Sequence, residues 1–159
     1  MLRPADVRVG RRDRRPALAD PRFGLPNDPT NGGRVLLVLQ DQGLIRLKPG
    51  AGLKATPLDV VENPKKLKFV ELEAAQLPRS LDDLDASGVN TNYAIPAGLH
   101  PGKDAIAQES AKSPYVNLIA VREQDKDKPW VAKLVKAYQS EELRKFVQTE
   151  FKGAVIPGL

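Results

Sequence analysis

The sequence predicts an α/β fold. Three observations predict it. Short apolar runs of strand length occur at 23–26, 67–72 and 115–121, the last rich in β-branched and aromatic residues. Apolar stripes at helical spacing occur at 34–40, 130–138 and 143–151. The two kinds of segment alternate along the chain, as layered α/β domains require. The length of 159 residues, 41% of them hydrophobic, is enough to bury the core of one domain.

In chain order, residues 23–26 read as a short strand that ends in a turn. The string Asn27-Asp28-Pro29-Thr30-Asn31 is dense in turn formers and N-cap residues. It opens a buried helix over 34–40 that Gly43 closes. A short strand or turn follows at 44–47, then a loop at 48–52. Residues 58–62 are apolar but too short to decide between helix and strand, and Asn63-Pro64 stops them. Residues 67–72 alternate at period two, a strand with Leu67 and Phe69 toward the core. A helix-and-turn region around Pro78 spans 74–84. A buried strand is expected to run through 85–88 and end at Val89-Asn90, and residues 91–97 start a short helix.

The C-terminal third predicts a short strand at 105–107 and a stronger one at 115–121. After a charged loop at 125–128, Trp130, Val131, Leu134, Val135 and Tyr138 form one face of a helix. Ser140 can cap a second helix that carries Leu143, Phe146, Val147 and Phe151 on one stripe, and Gly153 ends it.

Composition excludes several classes of function. With no Cys there are no disulfides, thiolate metal sites or cysteine nucleophiles, and the single His100 makes no zinc cluster. No nucleotide-binding, serine-hydrolase or zinc-protease motif is present, so neither catalytic residues, nor a metal, nor a cofactor is expected. The acidic pairs Asp82/Asp83 and Glu141/Glu142 read as residues of helix N-termini, not as acid–base pairs. The net charge of +5 looks at first like a nucleic-acid binder. Its distribution argues otherwise. Residues 1–24 hold seven Arg against three Asp, whereas the rest holds 18 basic against 17 acidic residues. This head has no helical or strand period and is interrupted by Pro4, Pro16 and Pro21, so it reads as an unstructured segment. A basic arm that contacts nucleic acid is the alternative function.

Three polar positions stand out. Arg34, placed near the start of a helix after Gly32-Gly33, could hold a carboxylate with its planar fork, or could simply pair with a neighbouring acid. Asn90, with Thr91-Asn92-Tyr93, follows a strand, where open α/β sheets place ligands; turn and capping duty is the competing reading. Asn117 lies in the apolar stretch after Tyr115 and needs hydrogen-bond partners from backbone or ligand.

Several strings together resemble a known family. They are Pro26-Asn27-Asp28-Pro29-Thr30-Asn31 with Gly33-Arg34, Val61-Glu62-Asn63-Pro64-Lys65, and the run from Glu71 to Asp83 that reads ELEAAQLPRSLDD. Asn90-Thr91-Asn92-Tyr93-Ala94 and Ser113-Pro114-Tyr115-Val116-Asn117-Leu118 continue in order. Over about 25–157 the chain resembles the NlpA/MetQ family, methionine-binding lipoproteins of ABC importers. The resemblance implies a two-lobed α/β fold, periplasmic binding protein-like (type II), which closes on methionine or a related small amino acid or dipeptide and hands it to a permease driven by an ATPase. By motif, Arg34 would grip the ligand carboxylate, Asn90 and Asn117 would bond its carboxylate and amino groups, and Tyr93 and Tyr115 would lie adjacent. It also implies departures. Family members carry a signal peptide, a lipobox Cys and a complete first lobe before the Pro-Asn-Asp-Pro motif. Here the expectation is a head at 1–24, a second lobe at 25–115, and a segment at 116–159 that would return to an incomplete first lobe. A chain so truncated would bind poorly alone. With no lipid anchor encoded, its family's periplasmic, membrane-anchored location would give way to a cytoplasmic or undetermined one.

Overall fold

A computed structural model describes residues 2–4, 20–110, 114–115 and 118–157. Strand β1 (Leu2–Pro4) comes first, and β2 (Arg22–Pro26) carries Phe23 and Leu25 into the core. Helix α1 (Pro29–Asp41) follows, then β3 (Arg46–Leu47), β4 (Val60–Glu62) and β5 (Lys68–Leu72). Helix α2 (Leu77–Ser80) leads to β6 (Ala86–Ser87), and α3 (Thr91–Ala94) and α4 (Pro101–Asp104) are single turns. Helices α5 (Pro129–Tyr138) and α6 (Glu141–Phe151) precede β7 (Val155–Pro157).

The central sheet is parallel, in the order β5-β2-β6, with Phe23 opposite both Phe69 and Ala86. Parallel neighbours need a crossover, and α1 with the β3–β4 pair supplies the one between β2 and β5. This bears out the α/β expectation. Helix α1 buries Val35, Leu36, Val38 and Leu39 against Phe23, Leu25, Ile45 and Leu47. A smaller cluster joins Leu77, Val89 and Ala94. The helix lies so close to the end of β6 that a Cβ on Gly88 would sit 2.6 Å from Val35 Cγ1. Only glycine permits that approach.

Residues 5–19 of the Arg-rich head lie outside the described residues, as does Asn117. The start of the head is not unstructured, since β1 pairs antiparallel with β7, Leu2 opposite Pro157. Other expectations need correction. The β6 strand stops at Ser87, and Val89 and Asn90 are buried beyond its end. Neither 105–107 nor the described part of 115–121 is a strand. A strand needs a ladder partner for its backbone, and no strand lies beside these segments among the described residues. Leu118 is accordingly 71% exposed despite its β-like surroundings. Asp82 and Asp83 sit in a turn after α2, where Asp83 N donates to Ser80 O, and not at a helix N-terminus.

The last two helices form as their periodicity predicts. Ser140 Oγ accepts from Leu143 N at 3.2 Å, and the chain leaves α6 through left-handed Lys152 and Gly153. Much of their apolar faces stays open to solvent, with Trp130, Tyr138, Phe146 and Phe151 all exposed, while Val147 on α6 is buried. No helix among the described residues is long and apolar enough to cross a membrane.

Candidate ligand-binding site

The site is built on the first two turns of α1. Asp28 is the N-cap, in extended conformation, and its Oδ1 accepts from Thr30 N at 3.1 Å and Asn31 N at 2.9 Å. Pro29 at the first helical position has no N–H to leave unsatisfied. The Asn31 amide donates to both Asp28 oxygens, at 3.1 and 3.0 Å. This fixes which way the amide points, so Asn31 Oδ1 faces outward and accepts from Asn90 Nδ2 at 2.8 Å. Asn90 is 7% exposed, and its own Oδ1 is buried without a hydrogen-bond partner. A buried amide oxygen in that state is uncommon and calls for a donor.

Arg34 lies three residues beyond Asn31, on the same face of the helix. It is 7% exposed. Its Nε donates to Glu109 Oε1 and Oε2, each at 3.0 Å, and its Nη2 also donates to Oε2. The guanidinium carbon sits 5.0 Å from the centre of the Tyr115 ring, within cation–π range. Tyr115 in turn donates from its hydroxyl to Leu53 O at 3.2 Å. Burial pushes the Tyr115 phenol above its ordinary pKa; Arg34 opposes the shift, and Glu109 and Asp28 add to it.

The structure therefore brings Arg34, Asn90 and Tyr115 to one face of α1. Tyr93 is separate: it follows Asn90 on α3, its N–H donates to Asn90 O, and its side chain is 37% exposed. Among the described residues, no side-chain hydrogen bond or ring contact joins it to Arg34 or Asn90. Asn117 lies outside the described residues.

One local reading changes. The helix starts at Pro29, so Arg34 lies in its second turn and Gly32-Gly33 are inside it. The glycines admit the protein's own backbone. A Cβ on Gly33 would lie 2.6 Å from Leu53 O, and one on Gly32 would lie 2.8 Å from Pro26 O. The sequence also gave no sign of Glu109, which reaches Arg34 from 75 residues away. Asn31 was legible only as a turn former. Its role follows from its partners Asp28 and Asn90.

Known proteins resemble this chain in sequence and in fold. The sequence model described as NlpA lipoprotein matches residues 22–159. The D-methionine-binding lipoprotein MetQ of Escherichia coli (strain K12) is 57% identical over 136 residues, covering 84% of this chain and 50% of the relative. Among solved structures, a nutrient binding protein from Burkholderia cenocepacia bound to methionine superposes with a TM-score of 0.84 at 53% identity, covering 98% of this chain and 67% of that one. An ABC transporter periplasmic substrate-binding protein from Coxiella burnetii gives 0.82 at 42% identity, covering 96% and 66%. The chain thus spans about half the length of the curated relatives it matches.

Proposed function

This chain belongs to the NlpA lipoprotein family, and from that premise we propose that it supplies the lobe of a methionine-binding protein that recognises the amino-acid head group, for delivery to an ABC importer. Residues 25–115 form that lobe, and 116–159 lead back toward the other. Arg34 receives the ligand carboxylate, Asn90 Oδ1 receives the ammonium, and Asn117 adds a second amide. Tyr115 backs the guanidinium, and Tyr93 lies adjacent, next to Asn90 on α3. The family's permease and ATPase are the implied partners, and the relatives it resembles are substrate-binding proteins by name, not enzymes.

The observation that carries this reading is a buried Arg fork on α1 together with a buried amide oxygen that lacks a donor, on Asn90, whose amide nitrogen donates to Asn31 of the same helix. An α-amino acid offers the complement of both: a carboxylate for the fork and an N–H for the oxygen. A guanidinium has five donors, so it can serve Glu109 and a ligand together.

The test is a titration of the full chain with L- and D-methionine, followed by amide and side-chain NMR shifts. The expected result is saturable change at Asn31, Arg34, Asn90 and Tyr115 with a Kd on the order of millimolar, because much of the recognition surface lies in the part of the family length this chain does not span. Absence of change at those residues refutes the reading. Nanomolar binding refutes the argument that the missing length carries much of the affinity.

A further inference from the structure

Asp28, Asn31 and Asn90 are hydrogen-bonded in series, from the N-terminus of α1 into the candidate site. The Asp28 carboxylate offers only acceptors, and the groups that meet it, Thr30 N, Asn31 N and Asn31 Nδ2, all donate. Asn31 Nδ2 lies 3.1 and 3.0 Å from the two Asp28 oxygens. An amide has its donors at one end and its acceptor at the other, so Asn31 Oδ1 is left for the next group. That group is Asn90, which donates from Nδ2 to Asn31 Oδ1 at 2.8 Å. Asn90 must then turn its own Oδ1 away from Asn31, and that oxygen is buried with no hydrogen-bond partner.

Each amide inherits its direction from the group before it. Turning Asn31 over would set its oxygen against a carboxylate and its NH2 against the NH2 of Asn90. Turning Asn90 over would set two amide oxygens against each other. Asn90 is only 7% exposed, so water does little to relieve such a mismatch. Helix capping by itself does not explain the acid, because Asn caps a helix about as well as Asp. What Asp28 does and an amide does not is withhold any donor from Asn31.

We propose that Asp28 and Asn31 are positioning residues that fix the polarity of Asn90. The site then accepts a ligand with a hydrogen-bond donor on its α-carbon and rejects one with only an acceptor there. The proposal rests on the reading that Asn90 Oδ1 receives the ligand ammonium. It deepens that reading by naming what sets the choice. The Asn90 amide by itself could serve either kind of ligand, and the carboxylate behind Asn31 decides which end it shows.

The experiment compares two analogues of methionine, 2-hydroxy-4-(methylthio)butanoate and 4-(methylthio)-2-oxobutanoate, on the full chain. The first carries a hydroxyl in place of the ammonium and can donate. The second carries a keto oxygen and cannot. Both are anions of equal charge, so the charge of the surroundings drops out of the ratio of their affinities. The readout is NMR shift change at Asn31 and Asn90. Wild type is expected to bind the hydroxy acid at least about tenfold more tightly than the keto acid, which sets an acceptor against a buried acceptor. Asp28→Asn keeps the helix cap but no longer dictates the direction of Asn31, and it is expected to cut that ratio at least about threefold. Asn31→Leu, of similar volume, removes the partner that orients Asn90 and is expected to do the same. A merely structural role would weaken both acids together and leave the ratio unmoved. A ratio that holds in either variant, folded by circular dichroism, overturns the part assigned to that residue. Should one variant fail to fold, the other carries the comparison. Equal binding of the two acids by wild type, or rejection of both while methionine still shifts Asn90, overturns the whole proposal without recourse to a variant. Failure of Asn90 to respond to methionine refutes instead the reading on which the proposal rests.

Discussion

Replacing Arg34 by Met isolates the energetics of the site without any ligand. The change keeps an unbranched side chain of similar reach and removes the guanidinium. Glu109, 8% exposed, would then keep a carboxylate in a place where water cannot replace three charge-assisted contacts. Breaking a buried pair from one side costs about 3–5 kcal/mol. For a chain of this size about 1 kcal/mol corresponds to 2–4 °C in Tm, so the single variant should melt roughly 6–20 °C lower. The double variant Arg34→Met/Glu109→Leu removes both members of the pair and should recover most of that loss, because an apolar pair of similar volume is often as stable as the ion pair it replaces. Urea unfolding followed by circular dichroism gives the free energies of wild type, both single variants and the double variant, and hence the coupling. A Glu109-dependent coupling near zero, or a single Arg34→Met cost within about 0.5 kcal/mol, would refute the reasoning, since surface substitutions lie in that range.

Asp28→Ala should cost about 1 kcal/mol of stability, the usual value of an N-cap. It should also free the Asn31 amide, which NMR would report as a shifted or broadened side-chain resonance at Asn31 and Asn90. Asp59 accepts from Lys48 Nζ at 2.6 Å and from Thr56 N and Oγ1 at 2.7 and 2.9 Å. These contacts, the Lys48 bond foremost, lower its pKa from 3.8 to about 2. The native pKa lies below the unfolded one, so this contribution is fully present above 3.8 and is lost as pH falls toward 2. Asp59→Asn should flatten that part of the acid stability curve, and equal acid sensitivity in wild type and variant would count against it. Finally, the open apolar faces of α5 and α6 should promote self-association. Trp130→Gln/Phe146→Gln should lower the concentration-dependent mass seen by light scattering without lowering the helix content.

Part of this molecule was readable from local pattern. The period-two run at 67–72 became β5, the Asp28-Pro29 signal became the N-terminus of α1, and Ser140 capped α6. Each depends on physics that acts within a few residues: alternation of side chains, a side-chain oxygen over free N–H groups, a fixed proline φ. The 115–121 run shows the limit. Its β-branched composition is strand-like, yet a strand exists only where another backbone pairs with it, and composition does not say whether one is there.

The same division runs through the site. The sequence by itself marked Arg34, Asn90 and Asn117, and the family resemblance carried by the ordered motifs added Tyr93 and Tyr115. It could not say that Asn31 would orient Asn90, that Gly33 would admit Leu53 O, or that Glu109 would close on Arg34 across 75 residues. Those facts follow from how β2, α1 and the 105–115 segment pack, because hydrogen bonds and ion pairs between distant residues are set by three-dimensional proximity and leave no local period. The sequence determined the helix that carries the site. The tertiary structure decided which distant residues, Glu109 and Asn90 among them, close around that helix.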